Sequence, residues 1–195
     1  MNDEINNPGV VQLNQIDPGL RKVRVAIGWS APEQVNGRDL DLDASLFILS
    51  RDNRVRSDED FIFYNNLQSE DGSVVHSGDS REGKGEGDDE IIDIDLVGLP
   101  YDIERLVFVI SSHNARERLE SFKDVQSDFI RIVNAETGKE LVRFDMADDE
   151  SDNIAYELAA LIRCDNGWEF ERLQAPHAEG LYGIARDYGV HVADN

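Results

Sequence analysis

The sequence predicts an all-β fold: a two-sheet β-sandwich of about ten strands with one or two short peripheral helices. Three observations carry that expectation. Apolar and polar residues alternate at period two, as in Ile91-Ile92-Asp93-Ile94-Asp95-Leu96. Turn pairs such as Pro18-Gly19, Asn36-Gly37, Asp71-Gly72 and Asn166-Gly167 punctuate the chain. Segments of helical period are few and short. Residues 1–195 read as one domain, with no linker and no internal repeat.

Val10 to Leu13 is a short opening strand, and Pro18-Gly19 turns the chain. Lys22 to Trp29 alternates and reads as a half-buried strand, whereas Ser30 to Arg38 holds Pro32, Asn36 and Gly37 and reads as a loop. Leu40 to Leu49 is a strand, and Val55-Arg56 a short return after a polar turn. Phe61-Ile62-Phe63-Tyr64 is aromatic and β-branched, hence a strand, and Ser73 to His76 is a small one beyond Asp71-Gly72. Gly78 to Gly87 has four glycines in ten residues and is irregular. Ile91 to Leu96 resumes alternation, and Arg105 to Ser112, the most apolar strand, is expected at the centre of its sheet.

Ala115 to Gln126 places Leu119, Phe122 and Val125 near helical spacing and is predicted as a helix. Phe129–Val133 and Leu141–Phe144 flank a glycine-containing loop and form a hairpin. Ile154 to Cys164 is alanine-rich, yet Asp165-Asn166-Gly167 and the alternating Trp168 to Leu173 favour a strand. Glu179 to Tyr188 closes as a short helix with Gly189 at its C-cap. Trp29 and Trp168 are expected in the core or at a sheet edge.

The 195 residues are 40% hydrophobic, enough for a real core. The net charge of −22 repels nucleic-acid phosphates and anionic lipid heads, and favours cations or a basic protein partner. No basic-then-apolar leader follows Met1, and apolar runs such as Leu106–Ile110 fall far short of the ~20 residues of a membrane helix. A cytoplasmic protein without a membrane span is expected. The single cysteine, Cys164, excludes an intrachain disulfide and reads as a small core residue.

The densest charge lies between Asp39 and Asp95. Asp39, Asp41 and Asp43 alternate, so on a strand they share a face about 7 Å apart. Asp58, Asp60, Asn65, Asn66, Asp79, Asp88, Asp89 and Glu90 can add oxygens from neighbouring loops. Ca²⁺ takes ~6–8 such oxygens, so these residues are candidate calcium ligands. The bland alternative is a solvated acidic rim; the amide pair and nearby glycines favour coordination. The spacing is not an EF-hand, because Ala44 and Ser50 stand where its glycine and glutamate belong.

Gly78 to Gly85 approaches a P-loop but has Gly85 in place of the Mg²⁺-binding hydroxyl, and a strand follows instead of a helix. His76, His113, His177 and His191 have no zinc spacing, and His113 reads as a loop-end hydrogen bonder. No nucleophile elbow occurs. The enzymatic alternative is a metal-dependent hydrolase using the same carboxylates, with Arg81 and Lys84 as the basic groups in the glycine loop.

Several stretches together resemble the TerD family of bacterial tellurite-resistance and stress proteins. They are Gly28-Trp29, Asp39-Leu40-Asp41-Leu42-Asp43-Ala44-Ser45, Arg56-Ser57-Asp58, Asp60-Phe61-Ile62-Phe63-Tyr64-Asn65-Asn66, Asp71-Gly72-Ser73-Val74, His76-Ser77-Gly78-Asp79 and Gly85-Glu86-Gly87-Asp88-Asp89-Glu90. Phe129-Ile130-Arg131, Asn166-Gly167-Trp168 and Tyr188-Gly189-Val190 extend the likeness over almost the whole chain. The resemblance implies a β-sandwich that binds Ca²⁺ through acidic loops. It implies a role in resistance to tellurite and other chemical or phage stress, beside other tellurite-resistance proteins and a TerC-like membrane protein. It does not carry a demonstrated enzymatic activity with it. Ser30, Ser80 and Asn114 depart from the family pattern, each removing charge or an oxygen ligand.

Overall fold

The computed structural model describes residues 9–30, 41–79, 87–112, 115–118, 121–146 and 152–191, without the side chains of 78, 79, 116 and 118. Among them are eleven strands. These are β1 (Val10–Gln12), β2 (Lys22–Ser30), β3 (Leu42–Ser50), β4 (Phe61–Ile62), β5 (Val74–Asp79) and β6 (Glu90–Asp95). There follow β7 (Ile103–Ser112), β8 (Ser127–Asn134), β9 (Glu140–Asp145), β10 (Ala155–Cys164) and β11 (Gly167–His177). The helices are α1 (Leu13–Ile16), α2 (Ala115–Arg118) and α3 (Gly180–Asp187). The strands form a six-stranded sheet, β1-β11-β10-β7-β3-β4, and a five-stranded sheet, β5-β6-β2-β8-β9. The sandwich that alternation predicts is therefore present.

The two sheets are buried differently, and the sequence shows why. Between them lie Leu46, Ile48, Leu106, Phe108, Leu161 and Phe170 from one side and Val25, Ile27, Ile92, Ile130 and Phe144 from the other. A second cluster covers the outer face of the six-stranded sheet, where Phe47, Leu49, Val107, Val109 and Ala160 meet Ile184, Ala185 and Tyr188. Buried on both faces, β3 and β7 read as continuous apolar runs. The outer face of the five-stranded sheet instead carries Lys22–Asp95, Arg24–Asp93 and Arg131–Asp88 ion pairs. That is the role of the polar half of the alternation in β6.

Four local expectations change. Among the described residues, the helix expected over Ala115–Gln126 is α2 and, separately, a 3₁₀ turn at Phe122–Asp124. Ser121 between them is extended, with φ −156° and ψ 175°, and its amide donates to Asp124 at 3.1 Å. Val55-Arg56 is no strand: the Val55 amide bonds the Tyr188 carbonyl instead. β4 stops at Ile62 because Phe63 and Asn66 exchange amide–carbonyl bonds of 3.0 and 2.8 Å across a tight turn. Cys164 ends β10 half-buried rather than in the core. Trp168 is buried, and Trp29 packs half-buried against the core. Among the described residues, no helix is long and apolar enough to cross a membrane.

Tyr188 pins the end of α3 to the sheet. Burial, and then the charge of Glu157, push its phenol above the usual value, so the native state holds its proton at pH values where the unfolded chain loses it. Stability from this group is full below about pH 10 and falls as pH rises beyond it. Tyr188→Phe is expected to flatten that alkaline loss, measured as urea midpoints between about pH 9 and pH 11. An unchanged slope would assign the loss to other groups.

Candidate metal centre

The start of β3, the end of β5 and the start of β6 meet at one end of the sandwich. Asp43 stands second in β3, just after exposed Asp41. Glu90 opens β6 opposite Ile27 of β2 and Asp79 of β5. Its period-two partners Ile92 and Ile94 belong to the core, so its side chain points inward at only 5% exposure. His76 does the same from β5, two residues after buried Val74. Its Nε2 lies 3.2 Å from the Ala44 carbonyl of β3 and 3.5 Å from the Glu90 carboxylate. A carbonyl can only accept, so Nε2 donates. Burial holds the imidazole below its usual range against the opposing pull of Ala44 and Asp43, which keeps it neutral at pH 7.

Asp89 closes this end. Its amide donates to Ile27 at 2.9 Å, and its own carboxylate receives the Trp29 amide at 2.8 Å. Gly28 makes that approach possible. A Cβ there would sit 2.4 Å from the Phe129 ring and 2.7 Å from the Gly87 carbonyl. The Gly28-Trp29 pair thus seats the backbone of Gly87–Asp89 against β2.

The other predicted ligands are placed differently. Asp60 is buried and takes both fork nitrogens of Arg56, each at 2.8 Å. Asp88 receives Arg131 bidentately at 2.8 and 2.7 Å. Asp58 accepts the His191 amide at 2.9 Å and lies 3.1 Å from its Nδ1. Asn66 donates its Nδ2 to the Glu59 and Phe61 carbonyls, bracing its own turn, and Asn65 is exposed beside it. Asp39 and the Asp79 side chain lie outside the described residues, as do Ser80, His113 and Asn114. Ser30 ends β2 with its hydroxyl 2.7 Å from that of Ser127.

Among the described residues, no three or more His, Cys, Asp or Glu side chains form a group that could hold a metal ion. Glu90 faces His76 at 3.5 Å, His76 feels the charge of Asp43, and Asp89 is tied to the β2 backbone at Ile27 and Trp29. Carboxylate oxygens of this kind are the donor type that hard cations take. His76 was not predicted at this site. Its alternation with Val74 on the inward face of β5 is the signal that finds it.

A TerD domain family model matches residues 1–188. The chain belongs to the TerD domain family. It is 40% identical over 193 residues to the tellurium resistance protein TerD of an Alcaligenes species, covering 99% of this chain and all of that one. It is 43% identical over 182 residues to general stress protein 16U of Bacillus subtilis, covering 93% of this chain and 94% of the relative. The crystal structure of a Streptomyces coelicolor homologue of the telluride resistance protein TerD superposes with a TM-score of 0.65. At 22% identity, over 86% of this TerD-family chain and 96% of that one, the likeness speaks for the fold.

Proposed function

We propose that this protein binds Ca²⁺ at the Asp43–Glu90 end of the sandwich and serves in the cytoplasm as a stress-response binding module of the tellurite-resistance type. The observation that carries the reading is the burial of two neighbouring carboxylates, Asp89 and Glu90, at the start of β6, with Glu90 3.5 Å from a His76 ring that feels the charge of Asp43. Asp39 and Asp41, just before Asp43 in sequence, with Asn65 and Asp79, would complete the oxygen set. Asp58, Asp60 and Asp88 serve the scaffold through His191, Arg56 and Arg131. The ion would offset local repulsion and hold the acidic segments in one arrangement for a partner to read. The charge of −22 selects a basic protein surface over nucleic acid. Other tellurite-resistance proteins, among them a TerC-like membrane protein, are the proposed partners. The role is binding rather than catalysis.

Melting in Ca²⁺ and in chelator tests this. A ligand at a hundred times its Kd stabilises by about 2.7 kcal/mol, which is several degrees for a chain this size. Mg²⁺ is expected to give much less, since it demands tight octahedral geometry. Asp89→Asn is expected to weaken calcium binding in calorimetry. Equal melting temperatures with and without Ca²⁺ would end the proposal. Metal-dependent turnover of a phosphoester panel would favour a hydrolase built on the same carboxylates.

A further inference from the structure

The end of β3 far from Asp43 holds a cavity of about 510 Å³, lined by Ser50, Arg51, Asp52, Tyr101, Asp102 and Glu104. Two hydrogen-bonded segments form its walls. On one side the Ser50 amide donates to the Arg54 carbonyl at 2.9 Å, and the Ser50 hydroxyl reaches the Asp52 carboxylate at 2.5 Å. Asn53 completes that turn at φ 59°, a conformation asparagine tolerates. On the other side Arg163 grips the loop from below. Its Nε donates to the Ile103 carbonyl at 2.7 Å and its Nη2 to the Pro100 carbonyl at 3.1 Å, with the guanidinium stacked on Trp168.

Between these anchors Tyr101 stands 92% exposed. A large ring held in water on a fixed loop contributes little to folding, and aromatic residues of that kind are frequent anchors of binding surfaces. The rim is charged: Asp52, Asp102 and Glu104 outnumber Arg51. The Ser50 hydroxyl keeps the Asp52 carboxyl below the usual range, so it stays ionised. Arg51 is 89% exposed, with its guanidinium 3.1 Å from Glu104. An exposed pair of this kind is weak and readily exchanged for another guanidinium.

We propose that this cavity receives an arginine side chain from a basic segment of a partner protein. Arginine fits better than lysine, because its planar fork can meet two carboxylates while its face stacks on Tyr101. The walls are already set, so binding orders little of this chain. The surface is distinct from the carboxylate group at the start of β3, and its occupancy does not need Ca²⁺.

The test is titration of the ¹⁵N-labelled full chain with acetyl-Gly-Arg-Gly-amide, followed by amide shifts, in Ca²⁺ and in chelator. Shifts are expected to concentrate at Ser50–Asp52 and Tyr101–Glu104 in both conditions. Replacing the peptide arginine with citrulline should abolish them. Tyr101→Ala should weaken binding about twofold to fivefold, the worth of an exposed cation–π contact, while Tyr101→Phe keeps it. Arg51→Ala should tighten binding by freeing Glu104. Shifts spread evenly over the acidic surface, equal binding by the citrulline peptide, or wild-type affinity in Tyr101→Ala would each overturn the proposal.

Discussion

Arg56→Ala is expected to destabilise the protein by about 3–5 kcal/mol, the cost of breaking one side of a buried ion pair. Asp60 is 4% exposed, inside the 3₁₀ turn Asp58–Asp60. Three donors converge on it: Arg56 Nε and Nη2, each at 2.8 Å, and the Arg56 amide at 3.0 Å. Deleting the guanidinium leaves the amide as the remaining Arg56 donor to a carboxylate that water barely reaches. Asp102, 3.4 Å from Nη1, loses a weaker contact at the same time. The double variant Arg56→Ala/Asp60→Ala removes both charges and should cost less than the two single changes summed, with a coupling of ~0.5–3 kcal/mol. Arg56→Lys should rescue only in part, since an ammonium cannot make the two-pronged contact. Urea titration measures all four variants against the wild type. The result also bears on the ion. If Arg56→Ala cost under about 1 kcal/mol, Asp60 would not depend on Arg56, and its assignment to the scaffold would fail.

The fold was largely legible because its signals are local. Period-two patterning located β2, β6 and β11, the glycine-containing loop marked the β8–β9 hairpin, and the apolar run of β7 announced a strand at the centre of its sheet. The alanine-rich β10 was read as a strand from the Asn166-Gly167 turn after it, although its propensity alone favours helix. What stayed hidden depends on contacts made far along the chain. Val55 is kept out of a strand by Tyr188, more than a hundred positions later, and Leu13, read as the end of a strand, instead opens α1 fully buried. The candidate site follows the same division. Asp41, Asp43, Asp89 and Glu90 were legible as oxygen donors. That Asp58, Asp60 and Asp88 face His191, Arg56 and Arg131 was not, because an aspartate in a list of carboxylates carries no mark of its partner. Arg56 stands only four residues before Asp60, so that pair was readable in principle.

Phe170→Ala is expected to cost a further ~3–5 kcal/mol, by a different mechanism. Phe170 lies in β11 of the six-stranded sheet, and Phe144 in β9 of the five-stranded one. Both are fully buried, and their rings stack at 4.9 Å with 7° between planes. The pair ties the two sheets together where β9 forms the open edge of its sheet. Truncation removes the transfer free energy of a phenyl ring and leaves a void that packed sheets close only in part. Phe144→Ala should cost a similar amount. The double variant should fall short of the sum by about 0.5–1.5 kcal/mol, the energy of an aromatic pair beyond area. Phe170→Leu should restore more than half of the loss, because it refills most of the volume without the stack. The carboxylate group at the start of β3 and β6 belongs to other strands. Calcium affinity of folded Phe170→Ala is therefore expected to equal that of the wild type in calorimetry, even as its urea midpoint falls. Lost affinity in a variant still folded at the working temperature would mean that the sheet-to-sheet spacing set by this stack also positions Asp89 and Glu90.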